Sequence, residues 1–322
     1  MAFRRHFSLE RVAPGVHAAV AEETGAALSN VGIVDLGGAT VVFDATLTPT
    51  GAEAVVRAAE RLTGRTPTWV VNSHYHGDHI WGNSSFVDGH VVSSTGVRRA
   101  VLARSRAQLD ACRREFPAAL ATLDAPDSPI APRDRPQVRA WYEAALALPR
   151  SHRIVPPEVT FPDELVLEGT RRSLRLITYG GGHSPSDVFG YLEDERILFA
   201  GDLVLVGYHL SAGDGWPDRW RRILDRMRRL KVDRLLPGHG PIGRANAIDR
   251  ARGYLADLER TVAGVTRRGG SAADVARLSI PERYRGLGFS MMYRENLLRT
   301  YRLHRSRRPA RLPSRRRRGS FK

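Results

Sequence analysis

The segment His74-Tyr75-His76-Gly77-Asp78-His79 constrains this chain more than any other. It sets three imidazoles and a carboxylate within six residues, a donor set that divalent transition metals such as zinc prefer. It directly follows Trp69-Val70-Val71, an apolar run that reads as a buried strand. A strand that ends in metal-ligand side chains holds them in fixed geometry. The bland alternative is a polar loop with surface histidines. At the His and Asp frequencies of this chain, the pattern H-x-H-x-D-H arises by chance in roughly one of a thousand such sequences. The bland alternative therefore fails if the rest of the chain supplies further donors.

It supplies three. His183 follows Thr178-Tyr179-Gly180-Gly181-Gly182, a glycine run that lets the backbone turn sharply. Asp202 follows Ile197-Leu198-Phe199-Ala200-Gly201, and His239 follows Leu235-Leu236-Pro237-Gly238. Each alone reads more readily as an exposed or capping residue. Three repetitions of strand, glycine and donor, downstream of the dense cluster, reverse that judgement.

The net charge of +16, from 50 basic and 34 acidic residues, resembles a nucleic-acid signal until it is located. Residues Arg302 to Lys322 hold nine Arg, one Lys and no acid, so +10 sits at the C-terminal end and only +6 on the rest. Pro309 and Pro313 interrupt that segment, and residues 306–322 are expected to form a disordered basic tail. Weak, salt-sensitive contact of this tail with nucleic acid is the extent of that signal, because no base-reading motif accompanies it. No run approaches the length needed to span a bilayer. Residues Met1 to Glu10 carry Arg4, Arg5 and His6 without a following apolar stretch, so no secretory signal is expected there and the cytoplasm is the expected compartment. Cys112 is the only cysteine, which excludes an intrachain disulfide. Its spacing from Leu102, Leu109 and Phe116 places it on the buried stripe of a helix rather than in a nucleophilic role.

Strand patterns are expected at 16–20, 29–35, 40–44, 68–71, 165–168, 174–178, 188–192, 197–200 and 234–236. Helices are expected at 49–62, capped by Thr48 or Thr50, at 97–116, 135–148 and 216–230, and over most of the remainder to about residue 305. Strands mixed with helices in both halves indicate a layered α/β fold. Residues 96–155, rich in Arg and Ala and without strand patterns, read as a helical insertion.

The local sequences Asn72-Ser73-His74 to His79, Gly182-His183-Ser184, Ala200-Gly201-Asp202 and Pro237-Gly238-His239-Gly240 resemble the metallo-β-lactamase superfamily of metallohydrolases. The resemblance spans about residues 15–240. It implies a four-layer αββα sandwich within a catalytic domain at 1–243, with C-terminal helices at 244–305 packed on it. It also implies two zinc ions, with iron or manganese as alternatives. His74, His76 and His183 would hold one ion, Asp78, His79 and His239 the other, and Asp202 would bridge them. Seven donors exceed one tetrahedral zinc but suit two ions sharing a carboxylate, and the alternation of an extended H-x-H puts His74 and His76 on one side. The chemistry implied is attack by a metal-bound hydroxide, with Asp78 as a proton-transfer group.

Departures within the superfamily narrow the activity. Its true β-lactamases carry Cys or Ser where this chain has Asp202, so β-lactam cleavage ranks behind an ester, thioester, lactone or amide, as in glyoxalase II and lactonases. His76 argues against the flavin-linked diiron reductases, which have Glu there. A metal-dependent nuclease or RNA-processing protein and a mononuclear iron dioxygenase are the competing readings. Tyr208 and His209 are candidate oxyanion donors, Trp81 and Asn83 candidate pocket residues, and Ser184, Ser186 and Asp187 candidate braces for the His183 turn. The substrate is expected to be a small molecule; neither its identity nor the oligomeric state is encoded legibly.

Overall fold

The computed structural model describes residues 6–306; the expected tail lies outside them, except Ser306, which ends the last helix. Strands alternate their burial between two interfaces, and this alternation builds the layers. In β3 (Val31–Asp35) and β4 (Thr40–Phe43), Val34, Val41 and Phe43 face a core shared with the second sheet. Their neighbours Ile33 and Val42 face the opposite side. There they meet Ala52, Val55 and Ala58 of α1 (Pro49–Thr63), whose first turn is capped by Thr48 accepting from the Gly51 amide at 3.1 Å. The same alternation recurs in β11 (Ile197–Gly201): Ile197 and Phe199 point to the shared core, and Leu198 and Ala200 to the outer helices.

One sheet has seven strands in chain order, adding β1 (Phe7–Ala13), β2 (Val16–Ala21), β5 (Trp69–Val71), β6 (His90–Ser94) and β7 (Val159–Phe161). It is antiparallel through β4 and parallel from β4 to β7. The other runs β12-β11-β10-β9-β8, with β8 at Glu164–Glu168, β9 at Ser173–Thr178, β10 at Val188–Leu192 and β12 at Arg234–Pro237. Only its β11–β12 pair is parallel, crossed over by α6 (Pro217–Met227). The expected αββα sandwich is therefore present.

Strands β1, β6 and β7 were not expected from the sequence. β1 is an edge strand carrying Glu10 and Arg11, and β7 is three residues long beside Pro162, so neither offers a clear period-two pattern.

The segment after β6 is one long helical run. Beyond the short α2 (Gly77–Ile80) at the ligand turn before β6, it comprises α3 (Thr95–Ala100), a π-helical turn at Val101–Ser105, α4 (Arg106–Ala121) and, after a loop, α5 (Arg135–Leu146). The π turn corrects one expectation. Cys112 and Leu109 are buried, but Leu102 is 63% exposed, because the wider turn rotates it off the stripe that a continuous 3.6-residue period implies. At the C-terminal side, α7 (Asn246–Arg267), α8 (Ala272–Ala276) and α9 (Met291–Ser306) bury Leu255, Leu258, Val262 and Leu297 in the outer core of the second sheet. None of the described helices is long and apolar enough to cross a membrane.

Phe43 and Phe199 meet between the sheets with ring centroids 5.5 Å apart. Phe199→Ala should cost about 3–5 kcal/mol of stability. Urea unfolding of chelator-treated protein, where no bound ion masks the loss, is the measurement; a change below about 1 kcal/mol would show that this contact does not hold the sheets together.

Candidate metal centre

All the donors leave the same rim of the sandwich. β4, β5, β9, β11 and β12 end there, and Asp44, His74–His79, His183, Asp202 and His239 follow those ends in turn. Open α/β sheets bind ligands at such carboxyl ends of strands. Two groups form. His74 Nε2, His76 Nδ1 and His183 Nε2 lie 3.0–3.2 Å from one another. Asp202 Oδ2 is 3.4 Å from His183 Nε2 and 4.0 Å from His74 Nε2. In the second group, Asp78 Oδ2 is 3.5 Å from His79 Nε2 and 3.2 Å from His239 Nε2. Asp202 Oδ1 stands 3.2 Å and 3.5 Å from the same two nitrogens. The two oxygens of one carboxylate thus divide between the groups.

The donors fit a pair of cations. Three ring nitrogens aimed at a common point repel unless positive charge sits between them. His79 Nε2 and Asp202 Oδ1 are buried and have no hydrogen-bond partner among the described residues, the state expected of atoms shaped for coordination. Burial, aided by the neighbouring His79 and His76, holds His74 well below the usual histidine range, and burial brings His183 down to about 4. Those two rings are neutral and keep their lone pairs. In the second group burial alone would depress His239, but Asp202 and Asp78 outweigh it and lift it to about 10. Burial likewise opposes ionisation of Asp78, yet His79 and His239 pull it to about 2. The group attracts positive charge, as protons or as an ion, and metal uptake would displace the protons.

Each ring is aimed by its other nitrogen. His183 Nδ1 meets the Ser211 carbonyl at 2.8 Å, His239 Nδ1 the Leu28 carbonyl at 2.9 Å, and His79 Nδ1 the Asp44 carboxylate at 2.8 Å. Ser73 Oγ lies 2.9 Å from His74 Nδ1. His76, which presents Nδ1 to the site, turns Nε2 to Asp214 at 3.4 Å. Asp214 also accepts from the Tyr75 hydroxyl and lies 3.9 Å from Arg104 of the π turn. His76 and Tyr75 hydrogen bonds hold its carboxyl well below the usual range.

The loops are pinned as firmly. Asp187, drawn up to about 6 by burial, accepts from the amides of Gly182, His183 and Ser184 and so braces the His183 turn. Asn30 donates to the carbonyls of Pro237 and Gly240, clamping the His239 loop. A side chain at Gly238 would overlap the Asp202 carboxylate, so glycine there lets β11 and β12 bring their ligands together.

Sequence reading missed Asp44, Asp214 and Asn30. Asp44 alone carried a signal, a carboxylate at a strand end like the ligands themselves. Trp81 and Asn83 do not line the pocket. Trp81 is buried in the core beneath Gly77, and Asn83 exchanges hydrogen bonds with Asn72. Both serve the turn from behind, because α2 and the 3-10 turn that follows it point them inward.

A cavity of about 300 Å³ opens over the donors, at the lower end of the range for small-molecule sites. His76, Asp78, His183, Asp202 and His239 form its floor. Its walls come from the insertion (Gln108, Gln137, Trp141), from Tyr208 and His209, and from Phe289, Met292 and Glu295 at the start of α9. Tyr208 stacks near Phe289 with centroids 5.5 Å apart. His209 is fixed at Nδ1 by the Tyr254 hydroxyl at 2.9 Å, and its Nε2 is fully buried.

A family model described as the metallo-beta-lactamase superfamily matches residues 24–239. The chain belongs to that superfamily. Its members commonly bind metal ions and are mostly metal-dependent hydrolases. The fold is similar to that of a metallo-beta-lactamase from Pontibacter korlensis, at 18% identity and a TM-score of 0.57, over 78% of this chain and 99% of that one. It is also similar to a metallo-beta-lactamase from Hirschia baltica, at 13% identity and a TM-score of 0.57, over 78% and 98%. No curated protein sequence matches significantly.

Asp214→Asn should weaken the tightest metal binding by about 10- to 100-fold, the usual effect of removing the partner of a ligating histidine. Titration against a chromophoric chelator measures it; unchanged affinity would show that Asp214 does not orient His76. Burial and nearby Arg133 lower His209 from 6.5 to about 4. The unfolded chain therefore binds more protons in that interval, and stability falls as pH drops from about 6.5 towards 4. His209→Gln should flatten this slope in acid-titrated unfolding, and a slope equal to the parent's would exclude the contribution.

Proposed function

We propose that this superfamily member is a two-zinc hydrolase of a small ester, thioester, lactone or amide. The observation that carries the reading is the division of the Asp202 oxygens between two converging donor groups on the floor of one cavity. His74, His76 and His183 would hold one ion, Asp78, His79 and His239 the other, and Asp202 both. Bound zinc supplies Lewis acidity for a carbonyl and lowers the pKa of coordinated water to about 7.

The residues of the chain do the rest. Asp78, which lines the cavity and is kept ionised by its histidine neighbours, is placed to accept a proton at Oδ2. Tyr208 presents a protonated phenol from the cavity wall, its titration pushed up by burial, and is assigned the oxyanion donor. His209, whose Nδ1 is engaged by Tyr254 and whose Nε2 is sealed, has no free donor to offer an oxyanion and is assigned to holding the wall beside Tyr208. Gln108, Trp141 and Phe289 wall the space over the donors. Among the described residues no Arg or Lys lines the cavity, so a phosphodiester meets no described side-chain cation there apart from the ions themselves, and the nuclease reading ranks lower. The aspartate at 202 sets β-lactams behind simple esters.

A hydrolysis screen across lactones, thioesters, β-lactams and phosphodiesters, with and without chelator, tests this reading. Chelator-sensitive turnover of an ester or lactone is expected. His74→Ala with His76→Ala should empty at least one site by metal analysis, and Tyr208→Phe should lower kcat by about 100-fold. Two ions still bound to the double variant, or turnover indifferent to chelator, would sink the assignment.

A further inference from the structure

The cavity has a charge that its metal donors do not explain. In a chain with 50 basic residues, carboxylates are generally taken up by arginines: Glu164 by Arg175, Asp35 by Arg171 and Arg65, Glu195 by Arg172. Glu295 has no such partner, and unlike the other carboxylates that lack one it lines the cavity. It lies on the first turns of α9 at the cavity mouth and lines the cavity, yet it is in none of the ion pairs among the described residues. Its one cationic influence is Arg302, two turns along the same helix and beyond ion-pair distance. Around it the wall is aromatic and uncharged, with Trp141 from α5, Tyr208 and Phe289, and the amide of Gln137. Gln108 Oε1, a further acceptor on this wall, is buried without a hydrogen-bond partner among the described residues.

A carboxylate with no counter-ion among the described residues, lining the same cavity as three aromatic side chains and no described lysine or arginine, is a recognition site for positive charge. We propose that Glu295 is a specificity-determining residue. It selects an ester, lactone or amide bearing an ammonium or similar cationic group, which sits between the carboxylate and the rings of Trp141, Tyr208 and Phe289 while the scissile bond faces the metal donors. The inference rests on the hydrolase reading above for the scissile bond, but not for the cationic group.

Two arms keep the readings apart. In the first, the zinc-loaded full chain is given three 4-nitrophenyl esters of similar length: pentanoate, monoglutarate and 4-(trimethylammonio)butanoate. The cationic ester should have the highest kcat/KM and the anionic one the lowest. Glu295→Gln should reduce the cationic-to-neutral ratio by about five- to tenfold, the effect of a partly exposed charge pair. Added salt should erode the ratio in the parent chain. A ratio unchanged by Glu295→Gln, or a preference for the monoglutarate, overturns the proposal. In the second arm, benzyltrimethylammonium and benzylsulfonate are titrated calorimetrically into chelator-stripped parent and variant, where no hydrolysis takes place. Binding of the cation that Glu295→Gln weakens supports the proposal even if no ester is cleaved, an outcome that would sink only the hydrolase reading. Equal binding of cation and sulfonate overturns the proposal even if esters are cleaved.

Discussion

The two oxygens of Asp202 reach different donor groups, and the architecture of the site follows from that division. One oxygen lies among His74, His76 and His183, the other between His79 and His239. The two oxygens of a carboxylate are only about one coordination bond apart, so donors from both sheets must come to the same small volume. The β11–β12 pair permits it through Gly238, where a Cβ would occupy the carboxylate's place. The sheets are fixed to each other just behind, where the Val188 amide donates to the Ser73 carbonyl at 2.7 Å and the Asn30 amide to the Gly238 carbonyl at 2.8 Å. Leu28, whose carbonyl receives His239, and Asp44, which receives His79, both adopt positive φ. Such backbone is unfavourable for a side-chain-bearing residue and is held only where the surroundings over-determine it.

How much of this was legible in the sequence depends on how each residue acts. The seven donors were readable because each is a metal-ligating residue type after a strand and, for the later three, after glycine. The layers were readable because buried strands such as Ile197–Gly201 are apolar on both faces. Residues that act through space left no local trace. Asn30 works on carbonyls more than 200 positions away, and Asp214 meets Tyr75 and His76 across 138 residues or more. Leu102 misled because a period of 3.6 was assumed through a turn that is π-helical. The short strands β6 and β7 arise from pairing in succession, β6 with β5 and β7 with β6, each neighbour supplying the hydrogen bonds that their own few residues cannot organise alone.

The division of labour between core and additions is sharp. The superfamily match ends at His239, and every donor lies within it. The cavity walls lie largely outside the core pattern, on the inserted helices and on α9. Ser290 joins the two additions, its amide and hydroxyl both donating to Asp134 just before α5 at 2.9 Å. The walls are thus tied to each other as well as to the floor, so changes in selectivity can arise in the additions without disturbing the donors.

The clamp of Asn30 on the His239 loop carries a kinetic consequence. Its hydrogen bonds join segments separated by 207 and 210 residues. By contrast, His74, His76 and His79 are neighbours in sequence, set by one strand and one turn. The second donor group therefore owes its completion to the longest-range contacts in the site, whose chain-closure entropy must be met before they contribute anything. Four of the seven donors are encoded locally between His74 and His79, and His239 is clamped beside them only once the start of β3 and the end of β12 have found each other.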